Sequence, residues 1–88
     1  MGVTVSPAAE KQIKKLSKLD QIAVVKKLRS LGLGKVINQE ESLKGYKGAF
    51  RVRVGNFRIV YLRFPTEIYV VLVAHRKEIY LLLKRLMG

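Results

Sequence analysis

The chain has 88 residues, no cysteine, one histidine, and 18 Lys and Arg against 6 Asp and Glu, for a formal charge of +12. Those numbers exclude disulfides, thiolate nucleophiles, cysteine-based zinc or iron–sulfur sites, and a multi-histidine metal site within one chain. They fit a single domain, 1–88, with a core of modest size, and a positive field that calls for a polyanionic partner: nucleic acid, an anionic membrane surface or an acidic protein. No segment resembles a signal peptide and no apolar run reaches the length of a membrane span, so a soluble, cytoplasmic protein is expected.

Val3 to Val5 suit a short strand. Ser6-Pro7 then offers a cap residue followed by proline at the first helical position, which predicts a helix. Ala9, Ile13 and Leu16 share its apolar face, and Lys11, Lys14, Lys15 and Lys18 fall mostly on the other. Asp20 is read as the cap of a second helix with Ile22, Val25 and Leu28 as its buried stripe, Val24 and Leu31 widening it, and Gly32 as its C′ stop. The two helices pack antiparallel. From Gly32 to Gly48 the chain is polar and punctuated by glycine, which reads mostly as loop, with Val36 and Ile37 dipping into the core.

Residues 50 to 61 alternate with period two: Phe50, Val52 and Val54 share one face of a strand, and Arg51 and Arg53 the other. Gly55-Asn56 supplies a two-residue hairpin turn, which pairs Val54 with Phe57, Val52 with Ile59, Phe50 with Tyr61, and Arg53 with Arg58. One face is then core and the other cationic. Like charges directly opposed across a ladder are unfavourable unless solvent screens them or a polyanion neutralises them. Pro65 and Thr66 mark the next turn. Ile68 to Ala74 is a nearly unbroken apolar, β-branched run suited to a central strand. Lys77 to Met87 reads as a terminal helix, with Tyr80, Leu83 and Met87 on one stripe and Leu82 and Leu86 on a neighbouring one. Its apolar residues exceed what one small face needs, and the surplus is either core or a surface for a partner. The fold class is α+β: a short N-terminal strand, a two-helix hairpin packed on a small antiparallel sheet (β-α-α-β-β-β), and a C-terminal helix.

The segment from Leu43 through Lys-Gly-Tyr-Lys-Gly and Phe50-Arg-Val-Arg-Val-Gly-Asn-Phe-Arg-Ile-Val-Tyr61, together with His75-Arg-Lys-Glu-Ile-Tyr80, resembles the RelE/ParE toxin superfamily over nearly the whole chain. The resemblance implies a toxin of a type II toxin–antitoxin pair. In its RelE branch it implies a ribosome-dependent endoribonuclease that cuts mRNA in the ribosomal A site, without metal or cofactor. It also implies a cognate acidic, RelB-like antitoxin that neutralises the patch. A membrane partner is not expected, because Lys84 and Arg85 do not make a strong polybasic face on the apolar terminal helix.

In that chemistry the RNA 2′-hydroxyl attacks the adjacent phosphate, so the site must align it, stabilise the equatorial oxygens and move two protons. Arg58 matches the arginine of the family's aromatic-Arg-aliphatic-aliphatic-Tyr strand, and arginine's fork of donors suits a phosphate on which charge is developing. Arg51 and Arg53 stand where some members carry lysine. As arginines they hold RNA or stabilise charge but do not act as bases. Arg76 is assigned a phosphate contact. Tyr80, the terminal family tyrosine, either stacks on a base, shuttles a proton or belongs to the core.

His75, the chain's single histidine, belongs to the residue type best suited to carry a proton near neutral pH, so it is the simplest candidate acid or base beside a structural reading. Glu78 is the nearest acid, read as orienting Arg76 or His75, as solvated, or as a base. Lys44 and Lys47 extend the electrostatic footprint for RNA. Two alternatives stand beside the nuclease. A ParE-like toxin poisons DNA gyrase by protein contact, and a non-enzymatic nucleic-acid-binding module needs only the basic face. Phe50, Phe57 and Tyr61 project away from the arginines, which disfavours a sheet-face stacking platform.

Overall fold

In the computed structural model, which describes residues 1–35 and 39–87, the chain runs β1 (Gly2–Val5), α1 (Pro7–Lys14), α2 (Lys18–Gly32), β2 (Glu41–Ser42), β3 (Ala49–Val54), β4 (Phe57–Arg63), β5 (Glu67–His75) and α3 (Ile79–Met87). The α+β class and the order of elements are as expected. The sheet carries one strand more, the two-residue β2, and its order is β1-β5-β4-β3-β2. β1 joins parallel to β5, and every other pairing is antiparallel. The placing of Val36 and Ile37 in the core falls outside the described residues.

The hairpin has the predicted register throughout, including Arg53 opposite Arg58. Gly55 takes φ 56°, and no non-glycine residue described has positive φ. A positive φ at the first turn position alone is the type II′ pattern, whose twist matches the flanking strands.

Each face of the sheet builds its own core. On one, Val52, Ile59, Tyr61, Ile68, Val70 and Val73 meet Ala9 of α1 and Val24 and Leu31 of α2. On the other, Ala49, Val60, Leu72 and Ala74 meet Leu43 and the α3 residues Ile79 and Leu83. The second face is therefore not simply cationic: α3 covers one half of it, and the arginines hold the half nearest the hairpin turn. β5 lies between β1 and β4 with both faces covered, which is why its sequence reads as one apolar run.

Helix ends and faces differ from the sequence reading in four places. Ser6 caps α1 as expected, its Oγ accepting from the Ala9 N–H. For α2 the cap is Ser17, whose Oγ accepts from the Asp20 N–H, so Asp20 sits in the first turn instead of capping it. The inward face of α2 is Val24, Leu28 and Leu31, and Ile22 and Val25 are exposed. The helix also passes through Gly32 and stops at Gly34, at φ 71°. There the Gly34 N–H donates to Leu31 O and the Lys35 N–H to Ser30 O, the paired bonds of a Schellman stop. In α3 the buried face is Ile79, Leu82 and Leu83, and Tyr80, Leu81 and Leu86 are exposed. The side chain of Met87 falls outside the described residues.

A bulge interrupts the β4–β5 pairing. Val60 faces Leu72 and Tyr61 faces Val70, which leaves Val71 without a cross-strand partner. Such an insertion strands backbone polar groups that need other partners, and α1 supplies them. The Ser6 hydroxyl donates to Val71 O at 2.8 Å, and the Gln12 Oε1 accepts from the Val73 N–H at 2.9 Å.

At the β2 edge, Glu40 turns toward the α1–α2 face with its side chain only 8% exposed, where it accepts from the Tyr61 hydroxyl and from Arg63. Arg63 in turn lies over the Phe50 ring, 4.5 Å from its centroid. Burial first, then the hydrogen bond and charge of Glu40, push the Tyr61 phenol above its ordinary value. A group whose pKa is raised on folding stabilises the fold fully below its unfolded pKa, and that contribution fades as pH rises. Stability is therefore expected to fall above about pH 10, where unfolded tyrosine releases its proton. Tyr61→Phe is expected to flatten that part of the profile, as denaturant titrations at increasing pH would check.

Candidate functional site

Period-two alternation and the hairpin register put Arg51, Arg53 and Arg58 on the same face of adjacent strands. With Arg76, Tyr80, Ile79, Glu41 and Gln39 they line a cleft of about 260 Å³. Each wall has an identifiable support. Arg76 lies in the turn after β5, and its N–H donates to the Asn56 carbonyl at 2.8 Å, tying that turn to the hairpin loop. Tyr80 sits in the first turn of α3 beside buried Ile79, so the helix packs by Ile79 and Leu83 while the tyrosine faces the cleft, 53% exposed. The Arg51 guanidinium lies over its ring, 5.4 Å from the centroid, a cation–π contact that orients both.

Arg58 is at the centre of the charge. Its Nη1 donates to the carbonyls of Phe57 at 3.0 Å and Gly55 at 3.3 Å, which fastens the guanidinium above the turn and leaves the other donors of the fork for a ligand. Burial, followed by repulsion from Arg53, Arg51 and Arg76, holds its pKa below the ordinary arginine value. A guanidinium so placed stays charged and gains from an arriving anion. The expected like-charge pair is thus a four-arginine cluster, and among the described residues the carboxylate lining the cleft is Glu41.

Glu41 and Gln39 are not singled out by the sequence, where the whole stretch from Gly32 to Gly48 reads mostly as loop. Glu41 stands opposite Arg51 in the β2–β3 register and its Oε2 lies 2.7 Å from Arg51 Nη2. That hydrogen bond, then the charge of Arg51, holds its carboxyl below the usual range. The available signal was an acid one short hairpin upstream of a basic strand.

Of the sequence candidates, the cleft gathers Arg51, Arg53, Arg58, Arg76 and Tyr80. His75, Lys44 and Lys47 are not among its lining residues. His75 pairs with Phe57 while Ala74 pairs with Arg58, so alternation turns the histidine to the opposite face. There its ring packs edge-on against Phe57, with centroids 5.7 Å apart, and its Nδ1 accepts from the Lys77 N–H at 3.2 Å. Lys44 and Lys47 are exposed in the turn before β3. Glu78 is exposed after β5 and makes no ion pair among the described residues. Among the described residues, no three histidine, cysteine, aspartate or glutamate side chains gather in the manner of a metal site.

Residues 3–80 match the family model for the ParE toxin of type II toxin–antitoxin systems. The fold is similar to a chain of the RelBE2 toxin–antitoxin complex of Mycobacterium tuberculosis, with a TM-score of 0.73 and 23% identity over 85% of this chain and 96% of that one. It is also similar to the isolated RelE toxin of Escherichia coli, with a TM-score of 0.73 and 22% identity over 98% of both chains. A chain of the intact E. coli RelBE complex matches at a TM-score of 0.72 and 20% identity, over 84% of this chain and 94% of that one. No curated protein sequence matches closely enough to add to these.

Proposed function

The chain belongs to the ParE toxin family of type II toxin–antitoxin systems, and we propose that it acts as an endoribonuclease that cuts mRNA in the ribosomal A site. The observation that carries this reading is the convergence of Arg51, Arg53, Arg58, Arg76 and Tyr80 on one small cleft. Arg58 stabilises the charge that develops on the equatorial phosphate oxygens as the 2′-hydroxyl attacks, because its guanidinium is already fastened by the turn carbonyls and needs no reorganisation. Arg53 and Arg76 hold the flanking phosphate oxygens, and Arg51 orients Tyr80, whose ring stacks on a neighbouring base. The bond from the 2′-oxygen to phosphorus forms as the bond from phosphorus to the 5′-oxygen breaks, with the attacking hydroxyl's proton passing to water and the 5′-oxygen taking one from water, so the products are a cyclic 2′,3′-phosphate and a 5′-hydroxyl end.

Lys44 and Lys47, outside the cleft, extend the positive surface along which RNA approaches. His75 faces away from the reacting phosphate and is assigned to packing, so His75→Ala is expected to leave cleavage by the folded protein at the wild-type rate. Loss of cleavage with the fold intact, followed by end-labelled messenger assays, would return the histidine to the proton chemistry. The cognate antitoxin is an acidic chain that covers this charge, in keeping with the toxin–antitoxin complexes among similar folds.

The test is mapping of cuts on messenger RNA in a purified translation system, with and without ribosomes. Cuts phased to the A-site codon support the proposal, and intact messenger sinks it. The match to a ParE family model favours a second reading, poisoning of DNA gyrase by protein contact. Trapped gyrase–DNA cleavage complexes together with intact messenger would establish that one instead. RNA bound but uncut would leave a non-enzymatic binding module.

A further inference from the structure

The carboxylate lining the cleft carries an inference that rests on the phosphate reading of the same site. Four guanidiniums share a space of about 260 Å³, and Glu41 is the one acidic side chain among the described residues that lines it. Its carboxylate meets Arg51 at 2.7 Å, the contact that a phosphate oxygen would make, since carboxylate and phosphate present the same acceptor geometry to a guanidinium fork. We propose that Glu41 is a built-in competitor for the substrate phosphate: it occupies Arg51 in the free protein and must swing away when RNA enters.

The two halves of the arrangement are held very differently. Glu40, the preceding residue, is buried between Tyr61 and Arg63 on the opposite face and fixes the strand edge to the sheet. The Glu41 side chain is 67% exposed, and among the described residues Arg51 is its one salt-bridge partner. Release therefore asks for a rotamer change of one side chain and no movement of β2. An exposed ion pair of this kind is weak enough to be displaced by a phosphodiester of a polyanion, which can meet a guanidinium through two oxygens. The charge of Arg58 and Arg53 also bears on Glu41, so its departure matters to the whole cluster: with the carboxylate gone, the arginines repel one another unless a phosphate takes its place. The cleft is in this way partly self-neutralised at rest and fully cationic only toward a ligand that can outcompete its own acid.

The experiment measures binding of a short fluorescent RNA, 2′-O-methylated throughout so that it cannot be cut, to the full chain and to Glu41→Gln, Glu41→Ala, Glu10→Gln and Arg58→Ala. Glu10→Gln is the charge control, because Glu10 pairs with Lys14 on α1, outside the cleft. The inference expects Glu41→Gln and Glu41→Ala to bind about two- to fivefold more tightly than the wild type at low salt, with Glu10→Gln unchanged by comparison. If both Glu41 variants match Glu10→Gln, or bind more weakly than the wild type, Glu41 is not a competitor and the inference is overturned while the phosphate cleft stands. If Arg58→Ala binds the RNA as well as the wild type does, the phosphate reading of the cleft itself has failed, and the inference falls with it.

Discussion

Arg58→Ala is expected to lower messenger cleavage by about 10²- to 10³-fold, the usual effect of removing one preorganised donor from a site where charge develops. Stability should change little, by about 0.5 kcal/mol in either direction. Two opposed terms make it small. The variant loses hydrogen bonds from Arg58 to Gly55 and Phe57, and it also removes the guanidinium that faces Arg53 directly across the ladder and is repelled by Arg51 and Arg76. Arg58→Lys should recover only part of the activity, because an ammonium keeps the charge but not the fork. Single-turnover cleavage on programmed ribosomes, read beside thermal unfolding, separates the outcomes. Unfolding of Arg58→Ala would make the residue structural, and full activity would remove it from the chemistry.

Leu83→Ala is expected to have the largest effect on order, and to reach the site without touching it. Leu83 is 2% exposed among Leu43, Ala49, Val60 and Leu72, and such truncations cost about 2–5 kcal/mol. That exceeds what a nine-residue helix can sustain alone. The loss should therefore appear as detachment of α3, with β4, β5 and the α1–α2 core intact, since the latter is a separate cluster on the other face. Tyr80 would leave the Arg51 guanidinium, and cleavage would fall although every arginine on β3 and β4 remains. Amide exchange that accelerates in α3 alone, accompanied by reduced cleavage, is the expected pair of results. Uniform acceleration through the sheet, with undiminished cleavage per folded molecule, would contradict it.

How far the chain could be read before folding depended on whether a signal was local. The β3–β4 hairpin was legible to the residue because Gly55-Asn56 fixes the loop length and strict alternation fixes the faces, so Arg53 had to meet Arg58. β5 was legible because burial on both faces leaves only apolar residues. The cap of α2 was harder, because Ser17 and Asp20 are both good caps three residues apart, and its face was ambiguous because Ile22 and Val25 are as apolar as Val24 and Leu31, so that docking on the sheet makes the choice. In α3, apolar residues surround most of the helix, and which of them face the sheet was decided by where α3 docks beside Leu72 and Ala74. That docking also freed Tyr80 for the cleft. Glu41 was beyond local reading altogether, because its place comes from pairing with β3 and its chemistry from an arginine ten positions away in sequence.

The unpaired Val71 has a consequence best expressed as a reading frame. Upstream of it, Ile68 and Val70 point to the α1–α2 core; downstream, Val73 does, and Leu72 and Ala74 point to the α3 side. One additional residue has shifted the frame, and it is what sets an alanine, the smallest side chain of that run, directly across from Arg58. Were Val71 to pair with Val60 instead of bulging out, the rest of β5 would slip by one residue, sending Leu72 to the α1–α2 side and Val73 to the position across from Arg58. The two halves of β5 are therefore read in different frames, and the bulge decides which side chain of the central strand lies across from Arg58.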